Sequence, residues 1–170
     1  MSAIEWVMHA PDYRKGPVSV RFLLVLPALL VALLAFAGCS GDDDDEEIRL
    51  DFVLDEWAID GETDEAAAGD MRFDLDNEGP DEEHEFVIIR TDFAPGDLPT
   101  EEDGSVDESA SGVNVIGSIS AFEPDNNSSG TFTLTEGAYV MICNLVSDVD
   151  GTETSHYQQG MVFPFTATPD

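Results

Sequence analysis

Apolar and polar residues alternate along much of the chain after residue 47, which is the pattern of β-strands with one buried face. The alternation is clearest at 48–55 and 71–76, where apolar side chains stand at every second position among mostly charged ones. Further apolar segments lie at 86–89, 113–119, 130–134, 138–143 and 161–166. Turn-forming residues separate these segments, and none has the spacing of an amphipathic helix. The pattern predicts an all-β fold, a two-sheet Greek-key β-sandwich.

Two features refine this prediction. Residues 92–111 contain Pro95, Pro99 and many acidic side chains, so we expect a long exposed loop there. Pro164 falls inside the last predicted strand. Because proline cannot donate a backbone hydrogen bond, it indicates an edge position or a bulge.

The first 38 residues have the composition of a secretory signal peptide. An apolar run at 22–37 follows Arg14, Lys15 and Arg21, and it ends in small residues just before Cys39. Small residues before a cysteine resemble the bacterial lipobox, which implies that Cys39 is lipidated and becomes the new N-terminus. The alternative is an uncleaved membrane anchor, although a run of this length is short for a membrane span.

An acidic segment separates this N-terminal region from the predicted sandwich. Residues 42–47 are six consecutive acids, and such dense like charge stays extended and solvated. We therefore expect residues 39–47 to be a lipidated tether and 48–170 to be the folded domain; the alternative is a cation-binding tail. The whole chain has 37 acidic and 6 basic residues, a formal net charge of −31, which excludes nucleic-acid binding through basic patches.

Four residues with metal-binding side chains lie beside predicted strand ends. After residue 38 the sequence has two histidines, His84 and His156, and, apart from the predicted lipidation site Cys39, one cysteine, Cys143. Met161 follows His156 at the start of the last predicted strand. Taken singly, each residue has a common structural alternative: a solvated or turn histidine, a core cysteine, a packing methionine. The acids beside His84 are expected to favour its cationic form and to attract cations.

Three motifs connect these residues to a known family. Asn77-x-Gly79 precedes His84, Gly137-x-Tyr139-x3-Cys143 forms one strand, and His156-x4-Met161 follows a loop. The sequence resembles the cupredoxins, the blue-copper family of plastocyanin and azurin, over most of residues 48–168. The resemblance implies one copper, with His84, Cys143 and His156 as equatorial ligands and Met161 as the axial ligand. The twelve residues between Cys143 and His156 make a longer loop than small cupredoxins usually have.

The resemblance to cupredoxins implies an electron-transfer protein rather than an enzyme, and the lipobox-like segment implies that it is lipid-anchored at the extracytoplasmic membrane surface. Its partners are expected to be redox proteins with basic docking patches, and the protein is expected to be a monomer. A copper-delivery protein and a metal-free interaction module are the alternatives. Tyr139 is predicted to be a structural tyrosine corner, and residues 148–153 an acidic turn rather than a calcium loop.

Overall fold

The computed structural model describes residues 47–169, which form eleven strands, one short α-helix and one 3₁₀ turn. The elements in chain order are β1 (Ile48–Asp55), β2 (Ala58–Gly61), β3 (Glu65–Ala67), β4 (Gly69–Asn77), β5 (His84–Arg90), the 3₁₀ turn (Pro95–Asp97), β6 (Asn114–Phe122), β7 (Asn127–Leu134), β8 (Gly137–Ile142), β9 (Val146–Val149), β10 (Thr152–Ser155), α1 (His156–Gln159) and β11 (Val162–Thr168).

The strands form two main sheets and one separate hairpin. The first sheet has the order β2-β1-β4-β7 and the second the order β3-β11-β8-β5-β6. Strands β9 and β10 pair only with each other. Most pairs are antiparallel, but β1 runs parallel to β4 and β11 runs parallel to β3. The predicted all-β Greek-key sandwich is confirmed.

Aromatic side chains from both sheets meet in the core. Phe52 of β1 and Phe73 of β4 contact Phe86 of β5, with ring centroids 5.2 and 5.7 Å from that of Phe86. All three are buried. Their inward positions follow from the alternation seen in the sequence, because successive side chains of a strand point to opposite faces. Burial of each large apolar side chain stabilises the fold by about 1.5–3 kcal/mol.

Strand β5 is covered on its second face as well. Val87 and Ile89 pack in a separate buried cluster with Leu98, Val106 and Tyr157. Residues 92–111 do form a long loop, and most of them are exposed as expected, but the loop also contributes buried side chains. The segment is rich in acids, but its few apolar side chains fold back and cover the second sheet, so Leu98 and Val106 are only 5% and 3% exposed.

Four of the strands are too short to be predicted from the alternation of apolar and polar residues. These are β2, β3, β9 and β10, each of three or four residues. Pro164 of β11 pairs with Val140 of β8, while β3 reaches only Thr166–Thr168 on the other side. Pro164 therefore lies at an edge position, as its missing N–H predicts.

The predicted signal peptide, the Cys39 lipidation site and almost all of the acidic tether lie outside the described residues. Within residues 47–169, no helix is long and apolar enough to cross a membrane.

Candidate metal centre

Three of the four predicted ligand side chains converge at one end of the sandwich. The ligand atoms of His84, Cys143 and His156 all lie within 4.8 Å of one another. The Cys143 Sγ is 3.3 Å from the Nδ1 of His156 and 4.0 Å from the Nδ1 of His84. The two Nδ1 atoms are 3.3 Å apart. All three side chains are fully buried, so two imidazoles and a thiol face each other away from water.

The pairing of β5 with β8 accounts for the first two positions. His84 is the first residue of β5, and Cys143 directly follows β8. These strands are antiparallel, with Val87 opposite Ile142, so the beginning of β5 and the end of β8 lie at the same end of the sheet. The Glu85 N–H donates to the Cys143 Sγ at 3.5 Å, which connects the two strand ends directly.

His156 is positioned by a capped turn of helix. It begins α1, where the Ser155 hydroxyl oxygen accepts a hydrogen bond from the Gln158 N–H at 3.2 Å. Serine at this position satisfies one of the free N–H groups of the first turn. The Ser155 hydroxyl also donates to the carbonyl of Gly104 at 2.8 Å, so the segment that covers the second sheet also supports this helix.

Met161 lies next to Cys143 and His156. Its carbonyl accepts from the Cys143 N–H at 3.2 Å, and its N–H donates to the His156 carbonyl at 3.1 Å. The side chain is fully buried and packs in the same hydrophobic cluster as Cys143. All four residues selected from the sequence are therefore together in space.

Burial determines the protonation of the metal-free site. Desolvation raises the pKa of the Cys143 thiol to about 12. Desolvation also lowers the pKa of both His84 and His156, against the attraction of nearby carboxylates such as Glu56. The flanking acid Glu82 does raise the pKa of His84, as expected, but the cost of burying a charged ring exceeds this attraction and the net shift is downward. The site presents neutral donors, and a metal bound to the sulfur replaces the thiol proton.

Two residues around His156 were not identified from the sequence. The Ser147 Oγ lies 2.9 Å from the His156 Nε2, within hydrogen-bond distance. The Trp57 ring meets the His156 ring edge-on, with centroids 4.9 Å apart. Ser147 belongs to β9 and Trp57 follows β1, and no motif or spacing in the sequence associates either residue with the histidine.

Asn77 holds the segment that leads into His84. Its side-chain amide donates to the carbonyls of Glu82 and Phe122, both at 3.0 Å. Its side-chain oxygen accepts from the Gly79 N–H at 3.0 Å. Asn77 is only 1% exposed, so this motif residue fixes the loop between β4 and β5 from inside the protein.

Two structural assignments from the sequence agree with the coordinates. The Tyr139 hydroxyl donates to the carbonyl of Thr135 at 2.7 Å, four residues upstream, which is the contact of a tyrosine corner. Residues 148–153 connect β9 to β10, and the Asp148 carboxylate accepts from the Gly151 N–H at 2.7 Å. The acidic turn is therefore the turn of the β9–β10 hairpin, and the Asp148 carboxylate stabilises it by binding a backbone N–H.

No protein-family model and no protein of curated function matches this sequence. Solved structures do match it. The reduced auracyanin from the photosynthetic bacterium Roseiflexus castenholzii superposes with a TM-score of 0.51 at 18% identity, over 72% of this chain and 98% of that one. The copper protein rusticyanin superposes with a TM-score of 0.50 at 13% identity, over 72% of this chain and 78% of that one. Both are cupredoxins.

The chain has the cupredoxin fold.

In this cupredoxin sandwich the long loop between Cys143 and His156 has secondary structure of its own. The residues between Cys143 and His156 form the β9–β10 hairpin. The hairpin supplies Ser147 to the Nε2 of His156. The additional residues of this loop therefore form an ordered hairpin in contact with His156, and the three donor atoms still lie close together.

The donor set fits a soft or borderline metal. Two imidazole nitrogens and one sulfur suit copper or zinc, whereas calcium and magnesium prefer oxygen. Structural zinc normally has four strong donors in a tetrahedron. Among residues 47–169 the cluster of strong donors has three members, and the neighbouring Met161 offers a weak thioether. Such a trigonal set with a weak axial thioether is typical of blue copper.

Proposed function

We propose that His84, Cys143 and His156 bind one copper ion as equatorial ligands of a type 1 centre, with Met161 as the weak axial ligand. The observation that carries this proposal is the convergence of three buried donor atoms within 4.8 Å of one another. Rusticyanin, which is a copper protein and shares the fold, supports the proposal further.

The function that follows is one-electron transfer. When bound, copper supplies a reversible change between two oxidation states, and the protein supplies a donor set that suits both. His84 is held by strand β5, Cys143 by the end of β8 and His156 by a capped turn of helix. Donors held in this way move little when the charge of the metal changes, which favours fast electron transfer. A carrier of this kind is not an enzyme.

The location of the carrier follows from the N-terminal sequence. A signal peptide at 1–38, lipidation of Cys39 and an acidic tether would hold the domain at the extracytoplasmic membrane surface. The net charge of −31 favours redox partners with basic docking patches and an association that weakens as salt is added. The carrier is taken to act as a monomer. Cys39→Ser is expected to release the protein from the membrane fraction, and persistent membrane association would support an uncleaved anchor.

The central experiment is a titration of the purified protein with copper(II), monitored by visible absorption. We expect an intense sulfur-to-copper charge-transfer band at one equivalent and reversible reduction of the loaded protein. Cys143→Ser should abolish the band, while Cys39→Ser, the matched change at the other cysteine, should leave it intact. Absence of the band in the unaltered protein would favour a metal-free module. Rapid loss of copper to a chelator would favour delivery.

A further inference from the structure

Two neighbouring side chains beside the candidate metal centre each have a buried polar atom without a partner. Within residues 47–169, the Nε2 of His84 and the Oε2 of Glu56 are both buried and have no hydrogen-bond partner. The Nε2 lies 3.9 Å from the other carboxylate oxygen, Oε1. An unsatisfied buried polar group destabilises the folded protein, so two such groups in neighbouring side chains require an explanation.

The Glu56 carboxylate is held in this place by the backbone. Its Oε1 accepts from the Glu82 N–H at 2.8 Å and from the Asp81 N–H at 3.2 Å. A Cβ at residue 79 would lie 2.7 Å from the same oxygen, so Gly79 leaves the space that the carboxylate occupies. The Glu56 side chain is only 13% exposed. The segment that leads into His84 therefore forms a pocket for this carboxylate.

The orientation of the His84 ring indicates a function for the Glu56 carboxylate. The Nδ1 of His84 faces the Cys143 sulfur and the Nδ1 of His156, and the Nε2 is the ring nitrogen near Glu56. A neutral imidazole carries its proton on one nitrogen and a free lone pair on the other. A carboxylate only accepts hydrogen bonds, so it favours the form with the proton on Nε2 and the lone pair on Nδ1. That form is the one that a metal bound between these residues requires.

We infer that Glu56 is the positioning residue of the metal centre: its carboxylate accepts the Nε2–H of His84, keeps Nδ1 directed at Cys143, and places a negative charge beside this ligand. The contact at 3.9 Å shortens to a hydrogen bond when Nδ1 is occupied. The negative charge stabilises the more highly charged oxidation state of the bound metal. This inference rests on the proposed copper site.

The two histidines then differ in their outer contacts. The Nε2 of His156 is within hydrogen-bond distance of the neutral hydroxyl of Ser147, whereas the Nε2 of His84 faces a carboxylate. Outer partners of metal-bound histidines commonly change metal affinity by about 10–100-fold. The charged Glu56 carboxylate should chiefly change the ratio of copper(II) affinity to copper(I) affinity. The neutral Ser147 hydroxyl should change the two affinities by similar factors.

The test compares Glu56→Gln with Ser147→Ala, the matched change at the second histidine, in the copper-loaded full chain. Glutamine retains an oxygen for the Asp81 and Glu82 N–H groups and removes the charge. We expect the copper(II)/copper(I) affinity ratio to fall about tenfold in Glu56→Gln, which raises the reduction potential by about 59 mV for one electron. Ser147→Ala should change the ratio less than threefold. Equal shifts in the two variants, or an unchanged potential in Glu56→Gln, would overturn the inference.

A second measurement uses the unaltered protein without metal, so that it does not depend on the folding of a variant. Nitrogen-15 chemical shifts of the histidine rings report which nitrogen carries the proton. We expect His84 with its proton on Nε2, and a proton on Nδ1 would contradict the role given to Glu56. If the unaltered protein binds no copper, the proposed function fails. If it binds copper and Glu56→Gln keeps the original potential, only this inference fails.

Discussion

Replacing Asn77 with alanine tests whether the segment before His84 is held from inside the protein. The substitution removes three hydrogen bonds of 3.0 Å, two donated to the carbonyls of Glu82 and Phe122 and one accepted from the Gly79 N–H. The side chain is 1% exposed, so water does not readily replace these contacts. The backbone groups that lose a partner belong to the loop between β4 and β5 and to the end of β6.

The expected loss follows from this count. Each hydrogen bond contributes about 1 kcal/mol net, and a buried backbone group left without a partner costs more than that average. We therefore expect the free energy of unfolding to fall by about 3 kcal/mol or more. For a domain of this size, that loss lowers Tm by about 10 °C. Typical domains have about 5–15 kcal/mol of stability, so the variant should still fold.

Urea unfolding of the metal-free protein, followed by circular dichroism, measures the loss. The matched control is Asn126→Ala, because the Asn126 side chain is exposed and makes a single hydrogen bond of 3.4 Å, to the Pro124 carbonyl. The control should lose less than about 0.5 kcal/mol. A loss below about 1 kcal/mol in Asn77→Ala, or equal losses in the two variants, would refute the reasoning.

Three further outcomes are expected. Met161→Gln should retain copper and lower the reduction potential, by about 59 mV for each tenfold gain in the copper(II)/copper(I) affinity ratio; loss of copper binding would contradict an axial role. Copper(II) should quench the fluorescence of Trp57, whose ring lies 4.9 Å from that of His156, and Trp57→Phe should abolish this copper-dependent quenching. Raising the salt from about 0.01 to about 0.15 M should raise Tm by several degrees, since it shortens the screening length from about 30 to about 8 Å while the chain carries a net charge of −31. A Tm that falls over this range would show that the acidic surface does not oppose folding.

The candidate site could be predicted because its residues are rare and stand at strand ends. His84 and His156 are the only histidines after residue 38, and Cys143 is the only cysteine after Cys39. Short apolar segments located β5 and β8 along the chain, and their antiparallel pairing brings His84 and Cys143 to the same end of a sheet. Position along the chain was sufficient to predict that His84 and Cys143 lie together, because each residue stands at the end of a strand and the pairing of the two strands determines at which end of the sheet it lies.

The outer contacts of the site could not be predicted in the same way. Glu56, Trp57 and Ser147 belong to a turn and a short hairpin, where no regular period relates sequence position to direction. The burial of Leu98 and Val106 was missed for a related reason. Acidic composition indicated an exposed loop, but a few apolar side chains decide which face of such a loop packs against the sheet.

Strand β5 is buried on both faces, so the part of the site around His84 should resist local unfolding more than the part around His156. His84 begins a strand with neighbours on both sides and packed side chains on both faces. His156 begins a helix of four residues at the end of a hairpin that pairs only with itself. Amide hydrogens of β5 should therefore exchange with solvent only when the whole domain unfolds, whereas those around α1 exchange through smaller fluctuations. We therefore expect a bound ion that leaves this protein to lose its contact with His156 first, while His84 stays in position to bind the next ion.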